Sequence, residues 1–188
     1  MRRLGIMLMV FFVMIGIGFG WYKNGFDMAI RKSEQVKSSW AQVENQLQRR
    51  NDLIPNLVST VKGYAAQEKD VLTEVTRLRS QWGKVQSVED KIQKANEISS
   101  ALSRLLVVAE NYPQLKSNEN FLALQSQLEG TENRIAVERM RYNQAVQDFN
   151  AYARSLIGRF FVKSAGVNEP AVYFQAVEAA TKVPEVKF

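Results

Sequence analysis

From Leu4 to Tyr22 the chain runs for nineteen positions without a charged side chain, and from Phe26 onward its apolar residues instead recur three and four apart. The first pattern has the length of a membrane crossing: as a helix rising about 1.5 Å per residue it spans about 28 Å, close to the thickness of the hydrocarbon core. Trp21 and Tyr22 close it with rings suited to the membrane–water interface. The pattern predicts a short basic N-terminus at 1–3 and a transmembrane helix at 4–22. Arg2 and Arg3 before an apolar run also resemble a cleaved signal peptide. Against this, Gly16, Gly18 and Gly20 alternate with Ile and Phe, and bulky Trp21 and Tyr22 follow, which makes a poor cleavage site. Gly16 and Gly20 share the spacing that lets two membrane helices approach closely.

The second pattern predicts long helices. Phe26, Ala29, Val36, Trp40, Val43, Leu47, Ile54, Leu57, Val61, Tyr64, Val71, Val75, Leu78, Trp82 and Val85 form one continuous seam, expected as a single supercoiled helix of about 90 Å. Phe121, Leu124, Leu128, Ile135, Tyr142, Ala145, Phe149, Tyr152 and Leu156 repeat the register in another long helix that Gly158 is expected to end. Between them, Ser87 and Asp90 resemble a capping box, and Val88, Ile92, Ala95, Leu102, Leu105 and Ala109 lead to Tyr112, where Pro113 stops the helix. Ser117 or Asn118 is placed to cap the next one. Short connectors favour antiparallel neighbours, so the expectation is an all-α chain. A transmembrane helix precedes an up-and-down bundle at 23–158 containing one very long helix. A segment at 159–188 should supply a short closing helix and tail, drawn from Phe160, Phe161, Val162, Val172, Tyr173, Phe174 and Val177 with a restart at Pro170. A coiled-coil oligomer is the alternative, because a seam does not reveal whose helix it faces.

Charged residues interrupt the seams at Arg50, Glu68 and Glu138. A lone buried charge is costly, so these should pair with one another or with Arg104, Glu132 or Arg139. They are expected to fix helix register rather than to build a polar site. Pro55 sits within the first seam, where it removes a backbone donor and predicts a kink; Asp52 is placed to cap a restarted helix behind it. That kink is either a bend around the core or a hinge.

Composition narrows the chemistry. The chain has no Cys and no His, which excludes disulfides, thiol nucleophiles, imidazole or thiolate metal sites and the histidine-based triad. No glycine-rich phosphate loop or nucleophile elbow appears. Neither a cofactor nor a small-molecule substrate is expected. The net charge of +6 is spread along the chain, and its densest basic stretch (Arg77, Arg79, Lys84, Lys91, Lys94) lacks interleaved aromatics, so nucleic acid is not expected as a partner. Arg2 and Arg3 favour a cytoplasmic N-terminus while Lys23, Arg31, Lys32 and Lys37 pull the other flank the same way. With Asp27 and Glu34 diluting the second flank, the bundle is expected outside the cytoplasm.

Several ordered motifs resemble the LemA family. Gln48-Arg49-Arg50-Asn51-Asp52-Leu53-Ile54-Pro55-Asn56-Leu57-Val58 is followed by Gly63-Tyr64 and Glu68. Then come Arg104-Leu105-Leu106, Glu110-Asn111-Tyr112-Pro113, Leu115-Lys116, Asn118 and Phe121, and finally Glu132-Asn133-Arg134-Ile135, Arg139 and Tyr142-Asn143. The resemblance implies a single-pass bacterial inner-membrane protein with an antiparallel helical bundle and no established enzymatic activity. It also implies relatives connected with membrane-protein quality control and magnetosome membranes. The expected role is a non-enzymatic scaffold or adaptor whose partners are the lipid bilayer and either another membrane protein or further copies of itself. Alternatives are an envelope stress sensor using the Pro55 bend, or a hydrolase using Glu68, Glu132 and Glu138.

Overall fold

A computed structural model describes residues 2–167 and 171–175, and every regular element among them is helical. In order these are α1 (Arg2–Tyr64), α2 (Lys69–Trp82), α3 (Val88–Ala109), α4 (Pro113–Lys116), α5 (Glu119–Arg154) and α6 (Leu156–Ser164). Two compact units share the chain: one combines residues 1–40 with 142–171, the other 41–141 with 172–188.

The very long helix is α1, with 63 residues, or about 94 Å. It begins at Arg2, takes in the apolar run and ends at Tyr64, which corrects the expectation of one helix from Phe26 to Val85. Residues 65–68 turn the chain, held by Ala65 N–H to the Val61 carbonyl and Glu68 N–H to the Ala65 carbonyl. The seam hid this break because Ala65 within the turn and Leu72, Val75 and Leu78 beyond it are buried just as Leu57 and Val61 are before it. A reversal that keeps every apolar residue facing the core leaves no mark on the periodicity.

The second unit is an up-and-down bundle built from the 41–64 stretch of α1, α2, α3 and the 119–141 stretch of α5. Directions follow from side-chain pairs. Glu74 of α2 meets Arg104 of α3, while Trp82 lies under Lys91, so α2 and α3 are antiparallel. Tyr64 bonds Asn118 and Arg50 meets Glu132, so α1 and α5 are antiparallel as well. Two expected caps form: Ser87 Oγ accepts from Asp90 N–H and Asn118 Oδ1 accepts from Phe121 N–H. Pro113, expected to stop α3 after Tyr112, instead opens α4, α3 having ended at Ala109; in that first turn its missing donor costs nothing.

In the first unit, α1 and α5 pair through Trp40 and Tyr142, whose ring centroids lie 5.4 Å apart, and through Tyr152, whose hydroxyl donates to the Gly25 carbonyl at 2.9 Å. Ala29, Phe149, Ala153, Phe161 and Val162 make its core. Gly158 does not end α5. The helix stops at Arg154, Ser155 caps α6, and Gly158 lies inside α6. Gly158 is required there because a Cβ would lie 1.9 Å from the Tyr152 carbonyl oxygen. Of the apolar residues expected to make a closing helix, Phe160, Phe161 and Val162 lie in α6, Val172, Tyr173 and Phe174 are not helical, and Pro170 and Val177 fall outside the described residues.

Candidate functional site: a buried arginine and an exposed apolar helix

Three places carry unusual chemistry, and the first is the bundle centre in the second unit. Arg50 is 1% exposed. Its guanidinium donates to Glu132 Oε1 at 2.8 Å, to Ser99 Oγ at 2.7 Å and to the Ala95 carbonyl at 3.0 Å. One side chain of α1 thereby ties α3 and α5 together, using the planar donor fork that a lysine lacks. Arg139 completes the cluster. Burial pulls its guanidinium below the usual range; the charge of Glu132 opposes this and that of Arg50 adds to it. Its guanidinium also lies 4.1 Å from the Phe174 ring centre, a favourable cation–π placement. A cavity of about 380 Å³ opens between α3 and α5 beside Ser99 and Glu132.

Pro55 explains a neighbouring contact. Lacking an N–H, it leaves the carbonyl of Asn51, four residues earlier, without its ordinary helical donor. Arg79 of α2 fills the vacancy, its Nε donating to that carbonyl at 3.0 Å. The proline therefore lies within an unbroken α1 and frees an anchor point for α2. Asp52 does not cap a restarted helix; it accepts from Gln48 at 2.7 Å within α1. Arg49 and Asn56 are exposed.

The second cluster closes one end of the bundle. Tyr112 donates to Glu68 at 2.8 Å, Asn118 donates to the Tyr64 hydroxyl at 3.0 Å, and Lys116 pairs with Glu110. Hydrogen bonding to Glu68, then burial and the Glu68 charge, push the Tyr112 phenol above its usual range. Elsewhere Arg104 pairs with Glu74 at 3.2 Å and Glu138 with Arg141 at 2.8 Å. The three carboxylates considered for catalysis thus have three different partners. Tyr142 is buried against Trp40, with half-buried Asn143 beside it. Members of the basic stretch are engaged too, Arg79 at Asn51, Lys91 at Glu44 and Lys94 at Glu97. Among the described residues no group of three Asp, Glu, His or Cys side chains is placed to hold a metal ion.

The third place is the apolar run. Residues 4–22 are all exposed along α1, including Phe12 at 67% and Phe19 at 69%, so they are not the core helix of a folded domain. Trp21 and Tyr22 meet α6: the Trp21 and Phe161 centroids are 5.1 Å apart, and the Tyr22 hydroxyl lies 2.8 Å from Ser164 Oγ. The Phe161 ring rests on Gly25, where a Cβ would come within 2.2 Å of it. Asn150 adds a two-point clamp, donating to the Ala171 carbonyl at 2.9 Å and accepting its N–H at 3.0 Å. Gly25 and Asn150 did not stand out in the sequence, where Phe161 was read only as one apolar residue of a closing helix and Arg79 only as part of a basic stretch. A buried asparagine in a helical seam was the one available sign among them.

The sequence profile of the LemA family matches residues 39–188. The chain is 26% identical to the magnetosome protein MamQ 2 of Paramagnetospirillum magneticum, over 66% of this chain and 56% of that protein. It is 21% identical to protein LemA of Metamycoplasma hominis, over 77% of this chain and 66% of that protein. The chain therefore spans between about half and two thirds of the length of these relatives.

Proposed function

Because the chain belongs to the LemA family, we propose that this membrane-associated protein is a non-enzymatic scaffold or adaptor, anchored in the bacterial inner membrane by a single crossing at residues 4–22. The carrying observation is that this apolar stretch is wholly exposed yet forms one helix with the packed body. Exposing such a surface to water is unfavourable, and a bilayer removes that cost. Packing also argues for retention of the segment. Cleavage beyond Tyr22 would remove the rings that meet Phe161 and Ser164.

The polar clusters support a scaffold because their central side chains join one helix to another. Arg50 bonds α3 and α5, Arg79 bonds α1, and Tyr112 bonds the turn before α2. The relatives that carry magnetosome names fit a role in organising membrane components. Confinement to a surface raises the effective concentration of the bundle towards membrane partners, so weak contacts suffice. By the balance of basic flanks, the bundle faces away from the cytoplasm.

Brief crosslinking of native membranes, detergent extraction, affinity capture of the full chain and mass spectrometry test this proposal. Recovery of one stoichiometric membrane protein identifies an adaptor, and recovery of the chain alone in a large assembly identifies a self-assembling scaffold. Capture of uncrosslinked monomer alone, at native expression, would refute both forms.

A further inference from the structure

The short helix α6 carries apolar residues on both sides. Gly158, Phe161 and Val162 face the core. The opposite side leaves Leu156 93%, Phe160 57% and Ile157 53% exposed. Leu156 and Phe160, four apart, share one side of the helix. Arg159 and Lys163, also exposed, flank that apolar strip, and neither enters an ion pair among the described residues. An apolar strip with basic neighbours is the composition of a helix that lies in the surface of an anionic bilayer.

This face is not a frayed end. At its start, Ser155 Oγ accepts from Gly158 N–H at 3.0 Å. At its finish, Gly166 adopts φ +64°, Val167 N–H reaches back to the Val162 carbonyl and Gly166 N–H to the Lys163 carbonyl. That pair of bonds is the Schellman closure, which uses glycine because it adopts a left-handed conformation without steric cost. With both ends capped and one side packed, the outward residues are held in place.

Position supplies the occupant. Phe161 packs on Trp21 and Tyr22 at 5.1 and 5.7 Å between centroids, and Phe160 lies 6.5 Å from Tyr22. Trp21 and Tyr22 end the apolar stretch, at the level where amphipathic rings meet lipid headgroups. We propose that α6 is a second membrane contact: Leu156, Ile157 and Phe160 enter the boundary between headgroups and acyl chains of the bilayer that α1 crosses, and Arg159 and Lys163 bind its anionic phospholipids. This inference rests on the membrane-crossing reading of residues 4–22. It makes the exposed strip of α6 continuous with the lipid-facing surface of α1, and gives the first unit two points of attachment in place of one.

The absence of cysteine permits an unambiguous test. The full chain with a single Leu156→Cys, Phe12→Cys or Ser38→Cys change is labelled with an environment-sensitive fluorophore. It is then reconstituted in phosphatidylethanolamine–phosphatidylglycerol vesicles containing nitroxide lipids of known depth. Ser38 lies sixteen residues beyond Tyr22 on α1, about 24 Å along the helix. The label at 156 is expected to shift to the blue and be quenched by headgroup-proximal nitroxide, the label at 12 by deep nitroxide, and the label at 38 by neither. Adding Arg159→Gln and Lys163→Gln, both at exposed sites, should reduce quenching at 156 with helicity unchanged, and phosphatidylcholine vesicles should do the same. Quenching at 12 without quenching at 156 overturns the role of α6 and leaves the crossing intact. A blue shift at 156 without lipid quenching means that another protein surface covers the strip, and also overturns it. Absence of quenching at both 12 and 156 refutes the crossing itself.

Discussion

Replacing Glu132 with Gln should destabilise the bundle more than replacing Arg50 with Met, although Arg50 makes more contacts. Arg50 is buried, whereas the Glu132 side chain is 42% exposed. Removing the carboxylate charge strands a buried guanidinium beside Arg139. Removing the guanidinium leaves a carboxylate that can turn to water, and Ser99 keeps its bond to the Ala95 carbonyl at 3.2 Å. Breaking one side of a buried pair costs about 3–5 kcal/mol. Water at Glu132 screens part of that, so Glu132→Gln is expected to cost about 2 kcal/mol. Arg50→Met, whose flexible side chain refills much of the volume, should cost about 1 kcal/mol. The double variant should resemble Arg50→Met alone, leaving a coupling of about 2 kcal/mol. Thermal unfolding of the detergent-solubilised full chain, followed by circular dichroism, should show Glu132→Gln lowering the midpoint by about 4–8 °C. Equal costs for the two single variants, or additivity in the double, would refute the reasoning that an unpaired buried charge dominates this site.

Four further outcomes follow from particular contacts. Gly158→Ala should cost about 2 kcal/mol or more through collision with the Tyr152 carbonyl and increase proteolysis between α5 and α6; unchanged cleavage would contradict the close approach. Gly25→Ala should displace the Phe161 ring and redden Trp21 emission, an effect absent from Gly63→Ala, where a Cβ meets nothing within 4 Å. Burial raises the Tyr152 phenol, and hydrogen bonding to Glu68 raises that of Tyr112. The folded state therefore holds both protons more tightly, so their contribution is full below about pH 10 and lost as pH rises through the raised values. Tyr112→Phe with Tyr152→Phe should flatten that alkaline fall in stability, and an identical pH profile would count against it. Pro55→Ala restores an N–H for the Asn51 carbonyl, so Arg79→Ala should cost less in that background than in the parent. Equal costs in the two backgrounds would rule out the freed carbonyl as the reason for the Arg79 contact.

The features legible in the sequence were those with local causes. Ser87 and Asn118 act within a few residues of themselves, and each caps the helix it was expected to cap. That Arg50 needs an acidic partner was legible for a different reason, with Glu132 among the acids offered, whereas Glu68 and Glu138 took Tyr112 and Arg141, outside the expected set. A charge inside an apolar seam has to be paired, and few opposite charges share that interior. The turn at 65–68 was not legible because its causes are distant. Tyr112 and Asn118, some fifty residues downstream, hold Glu68 and Tyr64, while the apolar period passes through unchanged. Nor was the packed side of α6, since Phe160 and Phe161, both expected in a short closing helix, look equivalent as letters. Only the fold separates a ring packed on Gly25 from one directed outward. The same distinction carries the functional argument: an apolar residue left outside by a folded helix becomes informative once its neighbours are known. Leu156 and Phe160 acquire meaning from α6 being packed on Trp21 and Tyr22, the two residues that end the exposed apolar stretch.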